Sequence, residues 1–179
     1  RSTRKESSAA SDVYKRQELA QAEFDKFEDD FNRIWKINHL AKLGIIKEED
    51  DDEALLNELF AWMEKAKPDY TNTFRGLVDA HLHNEPVFNN SEFIEWKAKW
   101  LKRISSVDMY ENLLEAYNPS VIPRNHLVEE ALIQAGSFGN MEPFNELLKI
   151  LQSPFDKLYS DKYQHSPVSD TGYQTFCGT

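Results

Sequence analysis

Apolar residues recur three and four positions apart through most of this 179-residue chain, and this spacing constrains the fold more than any other feature. Residues at that spacing lie on one face of an α-helix. Phe24, Phe27, Phe31 and Ile34 form the first such stripe. No segment of the sequence shows the strict alternation of a half-buried strand, and β-branched residues are sparse. The sequence therefore predicts an all-α fold, an irregular bundle of about seven helices.

Local signals predict where these helices begin and end. Gly44 stands where a left-handed closing residue is expected, so the first helix is predicted over about 19–43. The third helix is predicted to continue through Val78 and to end near HNEP, residues 83–86. The other signals are the capping candidates Asp50 to Asp52 before the second helix, Asn89 with Glu92 before the fourth, Ser105 with Asp108 before the fifth, and the turn GSFGN between the last two.

The two ends of the chain differ from its helical middle, residues 18–152. Residues 1–17, RSTRKESSAASDVYKRQ, are almost devoid of apolar side chains and carry a basic excess, and SDVYKRQ resembles translated adapter sequence. We expect them to be a disordered, non-native leader. Residues 153–179 carry scattered aromatics and prolines without a period, which predicts an extended C-terminal tail.

The charge and the cysteine count exclude several classes of function. The 21 basic residues against 31 acidic ones give a net charge of −10, which disfavours binding to nucleic acid. A single cysteine excludes an internal disulfide and a cysteine-rich zinc site. No apolar run approaches the roughly 20 residues of a membrane span, so no membrane contact and a cytoplasmic location are expected.

Few residues in the helical region have a pattern typical of catalysis or ligand binding. In HLH, residues 81–83, the imidazoles of a helix would point to different faces, so no metal site is predicted. GSFG, residues 136–139, lacks the preceding strand and the lysine of a phosphate-binding loop, and is interpreted as a turn. These residues alone predict no catalytic, cofactor-binding or metal-binding position.

Cys177, in the terminal stretch YQTFCGT, is the one candidate for chemistry. It is either an incidental residue at the end of the chain or a thiol whose mobile position suits disulfide exchange. Because the chain has no second cysteine, a disulfide partner would have to lie outside it.

Several separated motifs resemble the selenoprotein O family, whose bacterial members are also called YdiU. The stretches occur in the family's order and together cover residues from about 19 to 179. They are LAKLGI, DDEALLNELFAWMEKAKPDYTNTFRGL, FIEWKAKWLKRI, NPSVIPRNHLVEEAL, PFNELLKILQSPFDK and the terminal YQTFCGT.

The resemblance implies a protein-kinase-like fold and the transfer of AMP from ATP, with Mg²⁺, to Ser, Thr or Tyr hydroxyls of proteins. The family's nucleotide-binding and metal-binding residues lie in an N-terminal kinase-like portion that has no counterpart among the motifs here. We therefore expect a bacterial C-terminal helical fragment that is inactive by itself. Its expected partners are that kinase-like portion and the protein substrates.

The resemblance also gives expectations for individual residues. It places Cys177 at the family's redox position, with Tyr173 and Phe176 as apolar anchors of the tail. Judged on the residues themselves, Arg124 is expected to contact acidic groups or the kinase-like portion and so to support the structure, rather than to contact substrate. Arg75 is expected to form a salt bridge in a buried interface rather than to bind phosphate. The rival interpretation is an autonomous, non-enzymatic helical module that binds a protein partner through exposed apolar faces.

Overall fold

The computed structural model describes residues 3–107, 109–157 and 160–166, with side chains described from residue 13 onward. These residues form helices and turns and no strand, so the predicted all-α class is confirmed. None of their helices is long and apolar enough to cross a membrane. The helices are α1 (Thr3–Lys42), α2 (Asp52–Ala66), α3 (Tyr70–Arg75), two 3₁₀-helices (Ala80–Asn84 and Pro86–Asn89), α4 (Ser91–Ile104), α5 (Tyr110–Tyr117), α6 (Asn125–Phe138), α7 (Glu142–Leu151) and α8 (Asp161–Gln164).

The chain divides into two compact units, residues 1–39 and residues 40–179. Within the first unit, helix α1 is held by its own backbone and by exposed side-chain pairs three apart, Lys26–Glu23 at 2.8 Å and Arg33–Asp30 at 2.9 Å. The helix begins at Thr3 instead of near residue 19, because residues 3–17 contain good helix formers and neither proline nor glycine. The interpretation of residues 1–17 as a disordered, non-native leader stays a prediction.

The main core of the second unit lies between α2, α4 and the end of α1. Leu56 and Leu59 of α2 are fully buried against the tryptophans of α4. Each buried leucine contributes about 1.5–3 kcal/mol through the removal of its surface from water. The indole N–H of Trp96 donates to the carbonyl of Leu55 at 2.8 Å, and that of Trp100 to the carbonyl of Leu43 at 2.9 Å. Both large side chains are thus buried without leaving a polar group unpaired.

A second, smaller apolar cluster lies at the C-terminal end of the same unit. Helices α6 and α7 pack against each other, and Gly139, with a φ of 67°, closes α6 before the turn. The predicted turn at GSFGN is confirmed only from Gly139 onward, because α6 continues through residues 136–138 and ends where the backbone becomes left-handed. The buried members of the cluster are Val121, Leu127, Ala131, Leu147 and Tyr163.

Several helix starts differ from their predictions because side chains are used elsewhere. Asp52 does not cap α2; its carboxylate accepts from the backbone N–H of Glu49 and binds the guanidinium of Arg103 at 2.7 Å. The cap of α4 is Asn90, one residue after the predicted Asn89, which belongs to a 3₁₀-helix. Helix α5 begins at Tyr110, and Ser105 instead closes α4. Asp108 lies outside the described residues.

The third helix is shorter than predicted because the chain turns at Gly76. Helix α3 ends at Arg75 rather than continuing through Val78. A Cβ built on Gly76 would lie 2.2 Å from ring atoms of His83, so only glycine permits this approach of backbone and imidazole. The turn leads into the two 3₁₀-helices, which return the chain to α4.

Arg75 forms the buried salt bridge expected of it. Its side chain is 1% exposed, and its Nε donates to Asp79 at 2.6 Å. A guanidinium N–H also donates to the carbonyl of Asn118 at 2.9 Å, and the Asn118 amide donates to the carbonyl of Lys42 at 2.8 Å. These bonds join the ends of α1, α3 and α5. The predicted buried salt bridge of Arg75 is confirmed.

Candidate functional site at the base of the C-terminal tail

Arg124 is the centre of a buried polar cluster that connects α3, α6 and the tail. Its backbone is extended immediately before α6, which aims the side chain away from the helix and toward α3. One guanidinium nitrogen donates to Asp69 at 2.6 Å and to the hydroxyl of Ser166 at 2.8 Å, and the other donates to the carbonyl of Gln164. The expectation that Arg124 supports the structure by contacting an acidic group is confirmed.

Asp69 holds the other side of this cluster. It caps α3, where its carboxylate accepts from the backbone N–H of Asn72 at 2.9 Å, and it accepts from the hydroxyl of Ser166 at 2.9 Å. Burial by itself would raise the pKa of Asp69, but the hydrogen bonds from Arg124, Asn72 and Ser166 and the charge of Arg124 outweigh it, so the pKa lies below its ordinary value. A carboxylate with a lowered pKa stabilises the fold above the ordinary Asp range, and this contribution is lost as the pH falls through the lowered value.

The tail segment itself supplies the remaining contacts. Gln164 is fully buried. Its backbone carbonyl accepts from the side-chain amide of Asn72 at 3.0 Å, and its side-chain amide donates to the hydroxyl of Ser120 at 3.2 Å. Tyr163 enters the second apolar cluster, where burial and a hydrogen bond to Glu146 raise its pKa to about 12. His165 lies 2.8 Å from a carboxylate oxygen of Glu85. The segment 163–166 is therefore fixed by both apolar and polar contacts.

This arrangement fixes the position of Ser166, the last described residue of the tail. We call Asp69, Asn72, Arg124, Gln164 and Ser166 the tail anchor. Cys177, Tyr173 and Phe176 lie outside the described residues, so the expectations for them stay predictions. Cys177 follows Ser166 by eleven residues, which sets an upper limit of about 40 Å on the distance between them. The charged groups of the tail anchor are paired with one another, so its role is to position the tail.

A second cluster of polar contacts is centred on His83. It lies beside an apolar pocket of about 340 Å³ lined by Phe88, Phe93 and Leu101. The Nε2 of His83 lies 2.9 Å from the carbonyl of Thr73, so this nitrogen carries the proton, and Nδ1 accepts from the ammonium of Lys97 at 3.1 Å. Burial first, and then the charge of Lys97, lower the pKa of His83 to about 4. The imidazole is therefore neutral at pH 7 and has a structural role.

The two histidines of HLH differ in their surroundings. His81 is exposed while His83 is buried, so the imidazoles of HLH do point to different faces. Among the described residues, no three His, Cys, Asp or Glu side chains converge as metal ligands would. Of the acidic residues 48–52, Asp52 and Glu49 pair with Arg103, at 2.7 and 3.4 Å. These residues do not fit a magnesium–nucleotide site.

Sequence reasoning identified the two arginines but missed their partners in the tail. Asp69 had a detectable signal, since it precedes a predicted helix with Asn72 three residues later, a pattern typical of a cap. Gln164 and Ser166 had none, because they lie 40 and 42 residues from Arg124 in the sequence. Their role depends on how the tail packs.

Comparisons with known proteins agree on one family. A family model described as "Protein adenylyltransferase SelO" matches residues 8–152. Protein nucleotidyltransferase YdiU of Pelagibacter ubique (strain HTCC1062) is 42% identical over 167 residues, which cover 90% of this chain and 34% of that protein. The proteins of the same name from Bacillus thuringiensis (strain Al Hakam) and Clostridium botulinum (strain Eklund 17B / Type B) are 40% and 37% identical, each over 168 residues, with the same coverage. The chain thus spans about a third of the length of the curated relatives it matches.

Proposed function

This chain belongs to the protein adenylyltransferase SelO family, and we propose that it is the C-terminal helical region of a protein that transfers AMP from ATP to other proteins. The observation that carries the proposal is the family match over residues 8–152. The resemblance seen in separate sequence motifs is thereby confirmed. The relatives are named protein nucleotidyltransferases, so the rival interpretation as a non-enzymatic interaction module is not favoured.

In this proposal the catalytic residues lie in a kinase-like portion that this chain does not span. The chain covers 34% of the relatives, which leaves ample length for such a portion. In this proposal Mg²⁺ and ATP also bind there, as the resemblance to the family implies. The acceptors would be Ser, Thr or Tyr hydroxyls of protein substrates. The predicted cytoplasmic location in a bacterium stays a prediction.

The tail anchor supports a positioning role for this region. It holds residues 163–166 against α3 and α6, and Cys177 follows Ser166 by eleven residues, so the reach of Cys177 from this fixed point is bounded. We propose that Cys177 uses this reach to form a disulfide with a cysteine of the kinase-like portion, by thiol–disulfide exchange in which a small-molecule disulfide takes up the two electrons and two protons and leaves as two thiols. Oxidation would then tether the tail to that portion and change the rate of AMP transfer.

Transfer of labelled AMP tests the proposed activity. The intact protein, incubated with Mg²⁺ and ATP labelled on the α-phosphate, is expected to label itself or an added protein, whereas this 179-residue chain alone is not. ATP labelled on the γ-phosphate is the control, because it labels protein only when a phosphate is transferred instead of AMP. Absence of α-label with the intact protein would refute the activity, and labelling by this chain alone would refute the proposed place of the active site.

Electrophoresis of the intact protein tests the proposed role of Cys177. We expect a difference in migration with and without reductant, and we expect Cys177→Ser to remove it. Thr179→Ser, two residues away, is the matched control and should keep the difference. If the unsubstituted protein and Cys177→Ser migrate identically under both conditions, the redox proposal is wrong.

A further inference from the structure

The apolar pocket beside His83 includes large side chains that the described structure leaves open to solvent. Its lining combines Phe88 and Phe93, which are buried, with Ile94 and Leu101 of α4, which are 56% and 48% exposed. Ile94 and Leu101 are seven residues apart, so they lie on the same face of the helix. The volume of about 340 Å³ is within the range of small-molecule sites, roughly 300–1,000 Å³. The pocket therefore has the size and the lining to hold a small apolar group.

Lys97 is the one charged side chain among the described residues that line this pocket. Its ammonium donates to Nδ1 of His83 at 3.1 Å and lies 6.0 Å from the centroid of the Phe93 ring. Both rings line the pocket, so these contacts place the charge at its wall. An ammonium has three N–H donors, and within the described structure only one of them is used. Two donors remain for a ligand.

The charge of Lys97 has no counterion in the described part of the chain. The neutral imidazole of His83 brings no negative charge, and no described carboxylate forms an ion pair with Lys97, whose pKa is lowered by burial. The buried arginines described above each bind a carboxylate. Lys42, another lysine whose pKa is lowered by burial, donates to the carbonyl of Tyr117 at 3.1 Å. Lys97 lacks an oxygen acceptor of either kind among the described residues.

The uncompensated charge selects the chemistry of a ligand for this pocket. A neutral apolar ligand would remove water from the ammonium without supplying a partner, which costs free energy. A phosphate group would bring more negative charge than the single cation balances. A carboxylate brings one negative charge and accepts hydrogen bonds from the remaining donors, and such charge-assisted bonds are stronger than neutral ones. The matching ligand is an apolar molecule with one carboxylate.

We propose that this pocket binds a small carboxylic acid with an apolar body, whose carboxylate contacts the ammonium of Lys97 and whose body packs on Phe88, Phe93 and Leu101. Nδ1 of His83 holds the ammonium in place for this contact. The site is independent of the proposed function, because AMP transfer is placed in a portion that this chain does not span.

Titration calorimetry of the intact protein with phenylacetate tests the site. We expect saturable binding with a Kd of about 1 mM or below, the range for a ligand of this size. Phenylacetamide is the matched ligand without a charge. It should bind at least about tenfold more weakly, because it cannot form the charge-assisted contact with Lys97.

Substitutions on α4 locate the binding. Lys97→Met removes the charge and should weaken phenylacetate binding at least about tenfold. Lys102→Met is the matched control, since this exposed lysine of the same helix lies outside the pocket, and the Kd should be unchanged. Ala98→Trp keeps the charge of Lys97 but fills the pocket from an exposed position, and it should abolish binding.

Absence of saturable binding up to about 10 mM phenylacetate would overturn the site. Equal dissociation constants for the acid and the amide would do the same, because the charge of Lys97 would then not be recognised. So would an unchanged dissociation constant in Lys97→Met or Ala98→Trp, or an equal loss of affinity in Lys102→Met.

Discussion

At the buried end of α3, position 76 accepts only glycine because a Cβ there would collide with His83. Replacing it with alanine would place a methyl group 2.2 Å from the His83 ring, so the ring must move from its bond to the Thr73 carbonyl. We expect Gly76→Ala to lower the free energy of unfolding by about 1–3 kcal/mol or more, measured by urea denaturation.

Gly136→Ala is the control for this substitution because it makes the same chemical change in open space. No atom lies within 4 Å of the added Cβ, and the residue lies on the exposed surface of α6. Removing glycine from a helix should raise the free energy of unfolding by about 0.5–1 kcal/mol. Equal effects of the two substitutions would show that the contact between Gly76 and His83 is not limiting.

His83 should make stability depend on pH in a defined range. Its pKa is about 4 in the fold and about 6.5 when unfolded, so the unfolded chain binds the extra proton between these values. The stabilisation is complete above pH 6.5 and is lost as the pH falls toward 4. Between pH 7 and pH 4.5, we expect the unsubstituted chain to lose roughly 2–3 kcal/mol more free energy of unfolding than His83→Gln.

The exposed neighbour His81 provides the matched control for this pH dependence. His81→Gln removes an imidazole from the same 3₁₀-helix but leaves the buried one in place. Its free energy of unfolding is measured over the same pH range, and the loss that depends on the buried imidazole of His83 should remain. If His83→Gln shows the same slope as the unsubstituted chain, the neutral buried imidazole is not the source of the pH dependence.

At the scale of helices, local sequence predicted the elements better than their connections. The spacing of apolar residues predicted each long helix, and Gly44, with a φ of 78°, closes the first one as expected. The 3₁₀-helices after Gly76 were not predicted, because they result from the fit of His83 against that residue. Likewise Arg75 and Arg124 were recognised as structural, while α8 was missed because its four residues are stabilised by distant contacts.

The tail anchor should depend on Arg124 more than on any surface pair. Arg124→Met keeps the length of the side chain but leaves Asp69 in the buried cluster without its cation. Removing one partner of a buried pair costs about 3–5 kcal/mol. We expect a loss of that order in urea denaturation, together with faster trypsin cleavage after Lys162 in the released tail.

Lys99→Met is matched to this change, since it also removes one positive charge and one trypsin site. Lys99 pairs with Glu58 at 2.8 Å, but both side chains are largely exposed. Its loss should change the free energy of unfolding by less than about 0.5 kcal/mol and leave cleavage after Lys162 unchanged. Unchanged cleavage in Arg124→Met as well would mean that Arg124 does not hold the tail.

For the whole molecule, the described core begins near residue 40. Side chains from residue 13 to residue 35 are exposed, whereas Leu40, Leu43 and Ile45 are at most 3% exposed. The free energy of unfolding should therefore come from the second unit, because burial of apolar surface is the main stabilising contribution. Residues 8–17 fall within both the family match and the predicted non-native leader. If they belong to the native protein their removal can change its stability, whereas removal of a non-native leader should not.

Deleting residues 1–17 should leave the urea midpoint and the slope of the transition unchanged, within about 0.5 kcal/mol of unfolding free energy. Leu43→Ala is the comparison for the loss of a core contact. It should lower the free energy of unfolding by about 2–5 kcal/mol, because the leucine is fully buried. A truncated chain as unstable as Leu43→Ala would show that residues 1–17 stabilise the native protein, and the non-native interpretation would then be wrong. An unchanged midpoint would assign the stability to the unit that carries the tail anchor.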